Sequence, residues 1–561
     1  MDRNRFALTE TLVRGAAWLV PLLFLSIFFF FPLAAIFSVS LAPDGQLDLS
    51  GFLTIVTSEY YRGVLIFTTG QAILSTMLTL LLAVPGAYVF TRYRFPGKTV
   101  LLSLATLPFV LPTIVVSAAF LALIGPRGLL NQWLMSVFAF DAPPINLERT
   151  LAIILIVHVF YNYAVALRLI SAFWANQSQR IDEAARVLGA HGWRLWWEVR
   201  LPLLRPALLA AASLVFIFTF TSFGVVLILG GPRLATVEVE IYRQAIGLFN
   251  LPMAAALSLV QLIFMFAVMA IYTRIQRQPT VDLQAAVTMT RKPIGRREWL
   301  FLVANLSVIV FLLVAPLAAL IIRSLTGPGG VLTTQYYSLL STNPRGSVLF
   351  APPLVAVGNS LTFAAITTLL AVILGTLVAL LLARRNSRAA RLLDPIFMLP
   401  LAASAVTLGF GFLIALDRPP LNLRSSLALI PIAHTLVALP FVIRSVLPAA
   451  RSISPNIQDA ARVLGASPLA VHRWINLPLI SRGVFVGATF AFTVSMGEFG
   501  ASLFVARPDT PTLPIVIYRL LGQPGAANYG QALALSTILM IVCGVSFLLI
   551  ERTRRTGMGE F

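Results

Sequence analysis

Few residues of this chain have the type and spacing to do chemistry. The four histidines, His158, His191, His434 and His472, are scattered, with no pair spaced i, i+4. A zinc site needs converging ligands, so no metal site is expected. The one cysteine, Cys543, lies in an apolar run, which excludes a disulfide within the chain and a cysteine-based metal site. Gly97-Lys98-Thr99 matches the end of a phosphate-binding loop. That loop requires a glycine five residues before its second glycine, where this chain has Arg92. Lys98 reads instead as a basic anchor in a loop between spans. Glu498 stands apart as an acidic residue well inside an apolar run. A charge at the centre of a lipid-facing helix costs about 2.5–3.5 kcal/mol. Its carboxylate is therefore expected to face the protein interior, on a pathway for a cation or paired with a neighbour such as Arg444.

The elements that would position these residues follow from composition. Apolar residues make up 58% of the 561, and charged residues only 11%, against about 25% in soluble proteins. Such a chain is neither a soluble enzyme nor disordered. It reads as an all-α polytopic membrane protein. Runs long enough to cross a bilayer lie near 16–41, 64–91, 99–124, 151–171, 204–230 and 252–273, then 299–323, 358–383, 392–416, 426–450, 483–505 and 530–550. That makes about twelve spans in two sixes, the first read as a retained anchor. The net charge of +20 arises in short loops and reflects topology rather than a nucleic-acid partner. With the N-terminus inside, cytoplasmic segments hold 27 of the 41 Lys and Arg residues and outer loops hold 10. Both termini are therefore expected in the cytoplasm.

The chain repeats itself. Residues 184–190 and 460–466 both read AARVLGA, an offset of 276. The same offset carries Leu201-Pro202-Leu203 onto Leu477-Pro478-Leu479, His158 onto His434, Arg168 onto Arg444, and Phe223-Gly224 onto Phe499-Gly500. Upstream, Leu111-Pro112 matches Leu399-Pro400 at 288, which leaves about a dozen extra residues around 131–149 of the first half. An even number of spans per copy keeps both copies in one orientation, related by an axis along the membrane normal. The expected organisation is an N-terminal segment with the first span (1–62), a first repeat core (63–273), a cytoplasmic linker (274–298), a seventh span with its outer loop (299–356), a second repeat core (357–551) and a cytoplasmic tail (552–561).

The duplicated loop is about thirty residues long, where a plain connector needs only a few. Asp182 or Glu183 suits the start of a first short helix, Ala-Ala-Arg-Val-Leu propagates it, and Gly189 ends it in a left-handed turn. A second helix is expected to stop before Leu201-Pro202. Asp459 and Gly465 repeat the pattern. Such an elbow has an apolar face and a charged rim, which suits docking into a groove of another protein. Trp193, Trp196 and Trp197 on the first elbow have His472 and Arg473 among their counterparts. They mark either asymmetric coupling or anchoring at the membrane interface.

The pattern Glu-Ala-Ala, three residues, Gly, then a short helix and Leu-Pro resembles the coupling-loop signature of ABC importer permeases. Two copies in one chain resemble the fused permeases of the thiamine and ferric iron group, the type I importer fold. Residues 222–231 and 236–242, with 495–500 and 512–518, resemble the thiamine members most. The resemblance implies that Glu183, Ala184, Ala185 and Gly189, with Asp459, Ala460, Ala461 and Gly465, dock onto cytoplasmic ATPase subunits, two copies of one protein. ATP and Mg would bind there, and this chain would hold no cofactor of its own. It also implies an external substrate-binding protein, a bacterial inner-membrane location and transport by alternating access. Ser222, the counterpart of Glu498, joins it with Phe223 and Phe499 as pathway or gate candidates, the phenylalanines as an apolar constriction or as core packing. A ferric iron importer is the alternative cargo reading. A secondary transporter of the major facilitator type also has six plus six spans but leaves the duplicated loops unexplained, and a membrane enzyme would need catalytic groups that the spans lack.

Overall fold

The computed structural model describes residues 17–43, 45–177, 179–276, 290–342, 349, 351–383, 388–417 and 421–555. Most of the linker 274–298, part of the basic stretch 384–391 and the end of the tail 552–561 lie outside the described residues. The chain is all-helical. Among the described residues, eleven helices are long and apolar enough to cross a membrane, and a bent pair supplies a twelfth when counted as one span.

Four spans that the sequence reads as continuous are broken. Lys98–Val110 stops at Leu111, which is extended because a proline follows it, and Thr113–Ile124 begins afresh. The matching pair in the second half, Arg388–Leu401 and Ala405–Ala415, bends by 92°. Ser404 caps its second arm by accepting the Thr407 N–H at 3.0 Å. Leu201–Phe220 gives way to a separate short helix, Gly224–Leu229. Leu477–Gly497 ends where Glu498 turns extended, and Ser502–Val505 follows.

The second helix of each elbow also departs from expectation. It does not stop before Leu-Pro but runs on into the span through one π-helical turn, Trp196–Arg200 in the first half and His472–Asn476 in the second. Leu201 N–H bonds to Trp196 O, and Leu477 N–H to His472 O, in both cases five residues back. A proline ring clashes with the carbonyl four residues before it. The wider turn makes room for Pro202 and Pro478, so the helix continues. Ser26–Phe30 does the same ahead of Pro32.

The chain forms two compact units. One contains Phe52–Glu240 and Val260–Thr333, the other Met1–Gly51, Ile241–Leu259 and Thr334–Phe561. Each is built on three mutually packed helices. In the first unit these are Glu59–Arg92, Leu151–Ala175 and Leu201–Phe220, and in the second Pro353–Leu382, Leu429–Ser452 and Leu477–Gly497. Close approach in the second trio depends on small residues. A Cβ on Gly375 would lie 2.7 Å from Val442.

Each unit also takes one span from the other half of the sequence. Leu25 and Phe29 of the first span share a core with Phe397, Phe412, Leu436 and Ile443. Trp18 stacks on Phe397 at 6.0 Å. In the other unit, Ala315–Ser324 of the seventh span packs along Thr113–Ile124.

Candidate functional site

The two elbows have one backbone plan. The first helix is Gln179–Val187 in one and Pro455–Val463 in the other. Each ends on a glycine in the left-handed region, Gly189 and Gly465, both at φ +87°. Ala190 N–H bonds to Ala185 O and Gly189 N–H to Arg186 O, while Ala466 N–H bonds to Ala461 O and Gly465 N–H to Arg462 O. This paired arrangement satisfies the last carbonyls of each helix. Ala185, Ala190 and Leu195 form a small core inside the first elbow.

The elbow tips are uncovered. Val187 and Leu188 are 88% and 86% exposed, and Val463 and Leu464 are both 87% exposed. Glu183, Ala184 and Gly189 are exposed beside them, as are Asp459, Ala460 and Gly465. Ala185 is buried and Ala461 half-buried. Asp459 pairs with Arg462 at 3.0 Å on the surface. Two apolar residues held out at the end of a capped helix form a knob, and a charged rim surrounds each one.

The base of the first elbow is held by charge. Arg200 donates to Asp182 Oδ2 from Nη2 at 2.7 Å and from Nε at 3.1 Å. Its guanidinium lies 5.3 Å from the Tyr88 ring and 5.1 Å from the Trp196 ring. Trp174 completes the box, 5.7 Å from both Tyr88 and Trp196. The three elbow tryptophans therefore do not act as one face. Trp196 points into this box, whereas Trp193 and Trp197 are exposed and meet each other edge-on at 5.6 Å. The far end of the linker arrives nearby. Arg94 N–H bonds to Arg291 O at 2.9 Å, Arg291 N–H bonds to Arg92 O at 3.1 Å, and the Arg291 guanidinium covers the Tyr93 ring and pairs with Glu298. Burial pushes the Tyr93 phenol up to about 12. Lys98 donates to Tyr93 O at 3.2 Å, as an anchor of this loop.

The breaks in the fifth and eleventh spans carry the pathway candidates. In the first half His158 lies 2.8 Å from Ser222 Oγ through Nε2 and 3.0 Å from Ser75 Oγ through Nδ1. In the second, His434 lies 2.8 Å from Ser502 Oγ, 2.7 Å from Ser495 Oγ and 3.3 Å from the Glu498 carboxylate. The repeat thus keeps a histidine beside each break, facing Ser222 in one half and Glu498 in the other. Glu498 accepts the Ala501 N–H at 2.8 Å, the Ser502 N–H at 2.9 Å and the Ser502 hydroxyl at 2.7 Å. Arg444 pairs with Asp394 at 3.4 Å instead. Phe223 and Phe499 are buried, Phe499 against Tyr518 with ring centres 5.4 Å apart.

Two further buried carboxylates escaped sequence reasoning. Glu238 and Glu240 are both 0% exposed, in the short helix Val237–Tyr242. Tyr60 donates to Glu240 Oε2 at 2.7 Å, and the Gln261 amide donates to Glu238. Thr68 accepts the N–H of Val237 at 3.0 Å, as Ser360 accepts that of Leu513 at 2.7 Å. The repeat therefore anchors the start of this helix in the same way in both halves, but at the two acidic places the second copy has Pro514 and Val516. Alternating acidic and apolar residues between turn signals were the available clue.

Comparison with known sequences decides the family. The model of the binding-protein-dependent transport system inner membrane component matches residues 75–280 and again 371–553. The chain belongs to that family. The two matched regions contain one elbow each. The permease is 28% identical over 551 residues to the thiamine transport system permease protein ThiP of Haemophilus influenzae, covering 96% of both chains. It is 28% identical over 550 residues to ThiP of Salmonella typhimurium, covering 95% of this chain and 96% of that one. A putative 2-aminoethylphosphonate transport system permease protein, PhnU, of Salmonella typhimurium is 30% identical over 262 residues, 46% of this chain but 92% of its own. Somewhat less than half of this chain thus corresponds to most of a shorter permease. The chain is accordingly a non-catalytic, multi-pass inner-membrane subunit of an ABC importer, and its family works with an ATPase, which binds ATP on separate subunits, and with a binding protein.

Proposed function

We propose that this permease carries thiamine from an external binding protein into the cytoplasm by alternating access, with both termini inside. The observation that carries the cargo is the relation to thiamine permeases over nearly the full length of both chains. The two elbows dock into two copies of one ATPase through Glu183, Ala184, Ala185 and Gly189 and through Asp459, Ala460, Ala461 and Gly465. The exposed Val-Leu pairs support this, because four apolar side chains left in water at helix ends gain free energy when a partner covers them. ATP binding draws the ATPase copies together, and the elbows carry that motion into the spans.

Ser222, Phe223, Glu498 and Phe499 form the pathway or its gate. A broken helix frees backbone and side-chain polar groups at membrane depth, which importers of many kinds place on the cargo route. An intramembrane carboxylate also suits a cation such as thiamine. The test is uptake of labelled thiamine into liposomes holding the permease, its ATPase and its binding protein. ATP-dependent thiamine uptake is expected. Uptake of ferric iron alone would overturn the cargo. Uptake that survives removal of the ATPase and collapses with the proton gradient would overturn the mechanism.

A further inference from the structure

The two elbows share a backbone but not an anchor. Where the first elbow has Asp182 and Arg200, the second has Gln458 and Asn476, each 276 residues on. Both pairs close the same gap, between the first helix of the elbow and the π-helical turn that enters the span. Asp182 and Arg200 do so with a two-armed ion pair, and Gln458 Nε2 donates to Asn476 Oδ1 at 3.0 Å. The side chain of Arg200 is only 7% exposed and that of Asp182 22%, so their pair is partly shielded from water and from salt. The guanidinium is also stacked against Tyr88, which belongs to the long helix Glu59–Arg92, and against Trp196. The places of Trp196 and Trp174 in the second copy are taken by His472 and Ala450, so the box is not repeated. The neutral pair already holds the second elbow in the same shape. Shape alone therefore does not require the ion pair and its aromatic box.

The geometry points to Arg200 as a positioning residue that locks the first elbow to the second span through Tyr88, so that the two elbows pass ATPase motion to the spans unequally. The first acts as a rigid lever on Glu59–Arg92. The second acts through a neutral, yielding joint. A guanidinium serves this role because its planar fork binds one carboxylate oxygen twice while its face lies on the rings, which an ammonium does not do. The inference rests on the reading that the ATPase docks on the elbows.

Hydrogen exchange of the full chain in lipid tests the lock without the ATPase. Amides of 184–190 are expected to exchange about tenfold more slowly than those of 460–466, since opening the first elbow must break the partly shielded ion pair. Asp182→Gln with Arg200→Asn, which installs the second elbow's pair in the first, is expected to bring the two rates together. Equal rates in the natural chain, or no change in the variant, would overturn the proposal. In liposomes with ATPase and binding protein, the same variant is expected to keep its ATPase and to hydrolyse ATP, while thiamine moved per ATP falls several-fold. Arg200→Lys is expected to give the same fall, whereas a purely structural role would lower hydrolysis and transport together. An unchanged ratio in the double variant, or loss of the ATPase from it, would overturn the proposal. Failure of the natural chain to hold the ATPase would sink the docking reading instead, and the exchange comparison would still decide the lock.

Discussion

A carboxylate among apolar helices is stable only when its lone pairs are filled, and Glu498 fills them locally. Both oxygens accept from the residues that restart the broken span, and His434 lies against one of them. Glu498→Gln would aim an NH2 group at an N–H donor. The substitution is expected to destabilise the protein by about 1–3 kcal/mol, the cost of an unsatisfied buried group, and to reduce thiamine uptake while the ATPase stays bound. Thermal unfolding and uptake check the two effects, and unchanged uptake would remove Glu498 from the pathway. Glu498 was legible in the sequence because a lone acid interrupts a long apolar run. Glu238 and Glu240 were not, because their helix is too short to register as a span and reads as an outer loop. Nor was the partner of Asp182. Eighteen residues separate it from Arg200, and only the folded elbow brings the two together.

At the scale of elements, the elbows were legible down to the left-handed glycine, since an acidic residue near the helix start, a propagating run and a terminal glycine each have a local cause. The breaks in four spans were harder to see. Hydropathy measures apolar length, and a run such as 99–124 stays apolar across its break at Leu111-Pro112. The π-helical turns were likewise hidden, because proline normally signals a stop and here is accommodated by a wider turn. The extra residues of the first half form an ordered feature, not a slack loop. Asn131, 0% exposed, donates to Gly125 O and Ile145 O, both at 2.8 Å, and accepts the Ile145 N–H at 2.9 Å. Asn131→Ala strands these backbone groups, which costs about 1–3 kcal/mol. Faster hydrogen exchange across 139–149, with the spans unaffected, is the expected outcome.

At the scale of the molecule, the duplication was plain from one recurring offset. The allocation of the first and seventh spans was not, because an apolar run does not state which core will cover it. The first span belongs to the unit built mainly from the second half, where Leu25 and Phe29 complete the core around Phe397 and Phe412. Deleting residues 17–41 is therefore expected to expose that core and to speed proteolysis within 388–416, far along the chain from the deletion. Unchanged cleavage there would show that the span contributes little to the second unit. The central claim is that the permease is driven through its two elbow tips. Gly189 and Gly465 sit at φ +87° with open space around them, so valine at both places strains only the turns, by about 1–2 kcal/mol each. The most direct measurement is recovery of the ATPase with the permease extracted from membranes. The natural chain is expected to bring its ATPase with it, and the Gly189→Val, Gly465→Val double variant is expected to lose it while keeping full helical content. An ATPase retained at the natural level by the double variant would contradict the account.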